Sequence, residues 1–214
     1  MAKISNANKA KTAHRLRTPR LDSRQMKEYI RLHLFNELRW LLGAATEWSI
    51  QEQLNLKEVG YDIQVSAMDS TFLHARALFE FFVGPTTRNR YGCDAYLGPG
   101  SVLSSSSYDN WSGPLHSFLL HAQDRSKPRP LDSSGVKNLN EMPVDFAREI
   151  LKLWAEFERM LAKSGVPEIR ELMKLAREKR QEAIKGAECV VHSAVAKQHA
   201  KEKGKMLKPV FVFD

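Results

Sequence analysis

The sequence predicts an all-α protein, an up-and-down helical bundle with a long irregular loop and a long C-terminal helix. Two observations carry most of that prediction. Apolar residues recur every three or four positions through long stretches, the period of a helix buried along one side. Glycine and Gly-Pro steps punctuate those stretches where helices should stop. A third is that only the close of the chain, Lys208-Pro-Val-Phe-Val-Phe-Asp214, reads as a strand. The expected helices lie near 22–53, 62–83, 114–124, 143–164 and 167–203. They divide the chain into a basic flexible arm (1–21), a helical bundle domain (22–165), and a long C-terminal helix with its tail (166–214).

The arm carries Lys3, Lys9, Lys11, His14, Arg15, Arg17 and Arg20 and no acid. It holds too little apolar surface to offset the entropy of ordering, so it is expected to be mobile until something negative binds it, or simply to solubilise the chain. Asp22 then has the look of an N-cap, with Gln25 placed for a capping box and Leu21 and Met26 for a hydrophobic staple. From there Met26, Ile30, Leu34, Leu38, Leu41, Ala45 and Trp48 form one apolar stripe through Gly43. Glu37 and His33 sit at its margin, which puts Glu37 either within reach of a buried Arg76 or at the surface.

The stretch Asp69–Val83 is too apolar for a surface helix. At about 100° per residue, Phe72, Ala75, Phe79, Phe82 and Val83 make one broad face, and His74, Leu78 and Phe81 make the side opposite. Asp69, Leu73, Arg76 and Glu80 run between them, with Arg76 and Glu80 one turn apart and able to pair. A helix of that kind needs neighbours on most sides, so it is the expected centre of the bundle.

Gly84-Pro85 ends it, because proline disfavours helical geometry in the residue before it. The following segment, 86–113, holds several glycines, four consecutive serines and the aromatics Tyr91, Tyr96, Tyr108 and Trp111. Irregular segments of that length are commonly functional or disordered, and the aromatics argue that this one folds back over the core. Arg88 and Arg90 beside Tyr91 suit either a nucleic-acid strand, by charge and stacking, or a packed surface loop. Leu115–Gln123 reads as a short apolar helix bearing His116 and His121, with Arg125 one turn beyond His121.

Pro143 fits a first helical turn, and Phe146, Ile150, Leu153, Trp154, Phe157 and Leu161 then repeat until Gly165. Pro167 opens the last helix, whose narrow Ala-rich stripe and charged outer face suggest that part of it projects from the bundle or supports a homo-oligomer. The strand-like tail suits either a partner's sheet or an apolar patch on this chain.

Lys and Arg number 33 against 25 Asp and Glu, a net charge of +8 with a pI near 9.5. Such a balance suits a polyanionic partner, RNA or DNA, since each cation placed on a phosphate releases counterions. No apolar run approaches the ~20 residues of a membrane span, and the N-terminus lacks the apolar region of a signal peptide, so no membrane partner and a cytoplasmic location are expected. Cys93 and Cys189 make no disulfide framework and are expected to be free thiols.

Motifs with defined chemistry do not occur. There is no paired-cysteine or His-Glu-x-x-His metal signature, no calcium loop, no phosphate loop and no dinucleotide fingerprint. No metal and no cofactor is therefore expected. The remaining constellation is His74, Arg76, Glu80, His121 and Arg125, with His116, contributed by two helices. A histidine to move protons and an arginine to steady a phosphorane suffice for metal-independent phosphodiester cleavage, and the same set equally describes a buried polar network that fixes helix register.

The string Phe72-Leu-His-Ala-Arg-Ala-Leu-Phe-Glu-Phe-Phe82, then Leu115-His-Ser-Phe-Leu-Leu-His121 and a Trp-containing helix, resembles a group of small helical bacterial proteins of unknown function that is similar to HEPN domains. The resemblance spans about residues 25–163. It implies a compact bundle of four or five helices, often dimeric, and in many members a toxin or defence ribonuclease built on an Arg-x4–6-His motif. No arginine of this chain has a histidine at that spacing, so no catalytic role passes to Arg76 or His121 through the resemblance. The expected function is a non-catalytic, HEPN-like protein that contacts nucleic acid through basic surfaces, including Lys9, Lys11, Arg15, Arg17, Arg20, Arg88 and Arg90. Its alternatives are a metal-independent ribonuclease using His74, Arg76, Glu80, His121 and Arg125, and a protein-binding scaffold that oligomerises through the last helix.

Overall fold

The computed structural model describes residues 21–54, 61–112, 142–163, 166–208 and 210–211, with the backbone alone at 61–65 and 194–195. Among these residues the regular structure is helical. One isolated antiparallel bridge, Thr87 with Arg90, is the exception. The basic arm and the expected helix at 114–124 lie outside the described residues.

Helix α1 runs without interruption from Ser23 to Leu54. The capping box forms as expected: the Gln25 backbone N–H donates to Asp22 Oδ1 at 2.8 Å, and the Asp22 N–H donates to Gln25 Oε1 at 3.0 Å. Within α1, Tyr29–Leu34 is π-helical, with the Phe35 N–H bonded to the Ile30 carbonyl. The apolar spacing explains why. Met26, Ile30, Leu34 and Leu38 stand four residues apart, and in an α-helix each such step carries the stripe about 40° further around the axis. The wider π turns take up that drift, and Ile30, Leu34, Leu38, Leu41 and Ala45 all stay buried.

Helix α2, Tyr61–Val83, is the centre of the molecule. Phe72, Ala75, Phe79 and Phe82 on one side, and Leu78 and Phe81 on the other, are each 2% exposed or less. Each large apolar side chain buried this way contributes roughly 1.5–3 kcal/mol. Their partners come from α1 and from α4, Met142–Lys163. Phe72 meets Phe146 at 5.4 Å between ring centroids, Phe82 meets Trp154 at 5.9 Å, and Phe81 meets Phe157 at 5.6 Å. These are edge-on contacts, the arrangement aromatic quadrupoles favour.

Past Gly84-Pro85 the chain folds back over this core. The Cys93 N–H donates to the Phe81 carbonyl (2.7 Å) and the Leu103 N–H to the Phe82 carbonyl (2.8 Å), satisfying two of the carbonyls that the end of α2 leaves open. The short helix α3, Asp94–Leu97, buries Tyr96. Asp94 Oδ1 accepts from the Thr86 N–H (3.0 Å) and from the Thr86 hydroxyl, whose oxygen accepts from the Gly92 N–H at 2.9 Å. Further on, a helical stretch over 106–112 lays Tyr108 against Phe79 at 5.0 Å and Trp111 against Phe146 at 4.6 Å.

The C-terminal third departs from the sequence expectation. One helix to about residue 203 was expected; two form, α5 (Pro167–Val191) and α6 (Ala194–Glu202). Ser193 breaks the run because its hydroxyl accepts from the Ala196 N–H at 3.2 Å, capping a new helix. The turn lets α6 pack back, so that Val191, Ala196 and Ala200 form a second small cluster with Ile50 and Leu54 of α1. The Ala-rich stripe of α5 does not project: Leu172, Ala176, Ala183, Ile184 and Ala187 are buried in the main core. Trp154 of α4 donates its indole N–H to the Ala176 carbonyl at 3.0 Å.

No strand forms at the described part of the tail. Phe211 enters the main core, and the approach to it closes the end of α1: Lys205 Nζ donates to the Gln53 carbonyl (2.8 Å) and the Lys208 N–H to Gln53 Oε1 (3.0 Å).

Gly92 has no room for a side chain, since a Cβ there would stand 2.4 Å from the Gly84 carbonyl oxygen. Gly92→Ala is expected to lower stability by about 1–3 kcal/mol. Urea unfolding checks this, with a lower midpoint at unchanged m-value as the expected result.

Candidate functional site

Two polar groups leave α2 on different sides. His74 and Arg76 are two residues apart, about 200° around a helix, and each is engaged separately. His74 Nδ1 lies 2.8 Å from Glu37 Oε2 of α1. Its ring lies 5.1 Å from that of Trp40, which is 50% exposed. Glu37 was expected either near Arg76 or at the surface; it is held by His74 instead, because α1 packs against the His74 side of α2.

Arg76 donates through Nε to Glu80 Oε1 at 2.9 Å, the pairing expected from one helical turn. The other oxygen of Glu80 takes Arg90 Nη1, also at 2.9 Å. One carboxylate is thus held between two guanidiniums, one from α2 and one from the returning loop. Burial alone would raise the Glu80 carboxyl, but the hydrogen bonds from Arg76 and Arg90 outweigh it and hold it below the ordinary value of 4.5. Tyr108 lies close enough to respond: burial and the Glu80 charge raise its hydroxyl, while Arg90 and Arg76 oppose them.

Arg90 is therefore a clasp between loop and helix, and its Nε is buried with no partner among the described residues. Gly84 makes room for it, since a Cβ there would meet Arg90 Nη2 at 2.6 Å. Arg88 sits at the tip of the same turn, exposed, between Thr87 and Arg90, whose backbones bond at 2.9 Å. Of the candidate site residues, Lys9, Lys11, Arg15, Arg17, Arg20, His121 and Arg125 lie outside the described residues.

Sequence reasoning passed over a second ion cluster. Glu158 of α4 is 4% exposed and takes both Arg180 (2.8 and 3.2 Å) and Arg177 (3.5 Å) of α5. Nothing local signals it, because the partners stand about twenty positions apart and meet only when the two helices pack.

A cationic surface forms at α6 and the segment after it. Lys197, Lys201, Lys203 and Lys208 are exposed, and none has a carboxylate within ion-pair distance among the described residues. The only acid between Lys197 and Lys208 is Glu202, whose Oε1 accepts from Gln198 at 3.0 Å. Its signal was legible as a run of lysines with one acid.

No group of three or more His, Cys, Asp and Glu among the described residues could hold a metal ion, and no helix there is long and apolar enough to cross a membrane. Both cysteines are free. No family model, curated protein or solved structure matches the chain.

Two predictions follow from these environments. Glu80 has a depressed folded value, so its contribution to stability is complete above about pH 4.5 and is lost as the pH falls through the folded value. Glu80→Gln should therefore cost about 2 kcal/mol near neutrality and progressively less in acid, as followed by urea midpoints across a pH series. Burial pushes the Cys93 thiol up to about 11, whereas Cys189 is exposed. Iodoacetamide at neutral pH should alkylate Cys189 first and reach Cys93 only on unfolding, as mass spectrometry of digests would report.

Proposed function

We propose that the protein binds nucleic acid through basic surfaces without catalysing a reaction on it, as a non-catalytic HEPN-like bundle would. The observation that supports this best is the set Lys197, Lys201, Lys203 and Lys208, exposed and without carboxylate partners among the described residues. Lys197 and Lys201 stand one turn apart on α6, a rise of about 6 Å. Unpaired surface lysines do little for folding, but each one set on a phosphate releases counterions, so such a set serves a polyanion better than it serves the fold. Exposed Arg88 adds a further cation on the returning loop, and the acid-free run of residues 1–20 adds charge in sequence.

The reading assigns Arg90 and Arg76 to architecture, since both are spent on Glu80. A second reading, metal-independent ribonuclease, draws on the Glu37–His74 pair. A carboxylate on Nδ1 fixes the tautomer and leaves Nε2 as the group that could exchange protons. No guanidinium bonds to this pair among the described residues, and Arg76 stands on another side of α2.

Anisotropy titrations of labelled single-stranded RNA and DNA across a salt series test the proposal. Binding should weaken steeply with salt, and replacing the four lysines by glutamine should flatten the slope by up to about 3 units. Absent binding at low salt, or a slope unchanged in the quadruple variant, would reject it. RNA cleaved in EDTA by the wild type and left intact by a folded His74→Asn variant would instead establish the ribonuclease.

A further inference from the structure

Leu32, Trp40 and Leu73 are each half exposed or more, and they gather on one side of the α1–α2 pair. Leu32 and Trp40 stand about two turns apart on the same side of α1. Leu73 borders them from α2, since it precedes His74, whose ring bonds Glu37 and lies against Trp40. Exposed Ala77 follows Leu73 by one turn. Large apolar side chains grouped in water in this way mark a surface that another molecule covers, and tryptophan is the residue most often at the centre of such contacts. We infer that this face joins the chain to a second copy of itself, the two α1 helices crossing antiparallel at Gly43.

Charge and space select a second copy as the occupant. Arg39 and Glu47 flank Gly43 on α1, one on each side at about 6 Å along the axis. Arg39 is exposed and makes no ion pair among the described residues. The Glu47 carboxylate accepts from Gln51 of its own helix at 3.0 Å and likewise makes no ion pair there. An antiparallel crossing at Gly43 sets each copy's Arg39 beside the other's Glu47, so one two-fold contact satisfies both charges twice. A Cβ at Gly43 would have no neighbour within 4 Å, so nothing in this chain requires glycine at a position where it weakens the helix. A second α1 does require it, because the backbones can then approach closely and leave room for the partner's Trp40. The basic ends do not oppose the pairing. α6 packs at Ile50 and Leu54, and the crossing sets the two Leu54 ends about 33 Å apart along the axis, beyond the screening length of about 8–10 Å. A nucleic-acid strand would use Trp40 and Arg39 but would set Glu47 against phosphate and leave the leucines without apolar partners. The Ala-rich stripe of α5, which the sequence suggested for self-association, is buried in this chain's own core.

Sedimentation velocity on the full-length chain, across a micromolar-to-millimolar concentration series, tests the assignment. The wild type is expected to pass from monomer to dimer. Trp40→Asp should stay monomeric at every concentration with an unchanged circular-dichroism spectrum, since the side chain it replaces is half exposed. Arg39→Glu and Glu47→Arg should each weaken the dimer by about tenfold or more, because each sets like charges together across the contact. Both substitutions in one chain should bring the dimer back to within a few-fold of the wild type. Gly43→Leu should abolish the dimer and raise the urea midpoint of the monomer, leucine being the better helix former. A wild type that stays monomeric throughout, a dimer that Trp40→Asp or Gly43→Leu leaves intact, or a double variant no tighter than either single one would each overturn the inference.

Discussion

The architecture depends on one constraint: the second half of α2 is apolar nearly all the way round. Phe72, Phe79 and Phe82 on one side and Leu78 and Phe81 on the other cannot all be buried by a single neighbour. α1 covers one flank, α4 meets the phenylalanines with Trp154, Phe146 and Phe157, and the returning loop brings Tyr108 and Trp111 to what remains. A helix with only one apolar stripe would have left that loop nothing to pack against. The aromatic load on α2 thus explains why a segment rich in glycine and serine packs over the core.

That same crowding decides what the polar residues of α2 do. Charges on a helix with neighbours on most sides must find partners or lie at a seam. Glu80 finds two, and the second, Arg90, arrives only because the loop returns over α2. The Arg76–Glu80–Arg90 group is therefore a fastening between helix and loop, stabilised by charge-assisted hydrogen bonds in a half-buried setting. His74 and Glu37 play the same part between α2 and α1, with exposed Trp40 alongside. Glu158 with Arg177 and Arg180 does so between α4 and α5. Three seams are each closed by a side-chain pairing that includes a carboxylate, whereas Lys197, Lys201, Lys203 and Lys208 stay exposed on α6 and its extension. The proposed function therefore rests on these lysines rather than on Arg76 and Arg90, which Glu80 engages.

The break at Ser193 gives the C-terminal third its second role. One rod to residue 203 would have carried the lysines away from the body and left Ile50 and Leu54 uncovered. The turn instead brings α6 onto the end of α1 and sets its lysines on a firm base.

By itself the sequence determined the helices wherever apolar period and capping chemistry act locally: the stripe of α1 from Ile30 to Trp48, the Asp22–Gln25 box, the apolar faces of α2, the run from Phe146 to Leu161, and the pairing of Arg76 with Glu80 one turn apart. Tertiary structure alone decided the remainder. It set the π turns at Tyr29–Leu34, the partner of Glu37, the seat of Arg90, the Glu158 cluster and the fate of the tail. The physical reason is range. Periodicity and capping are fixed within a few residues, whereas a long-range ion pair, a loop's landing place or a cavity between helices exists only after separate elements have packed. A Ser193 cap was within local reach as well, but an unbroken apolar period masks a cap when nothing shows that the chain must turn.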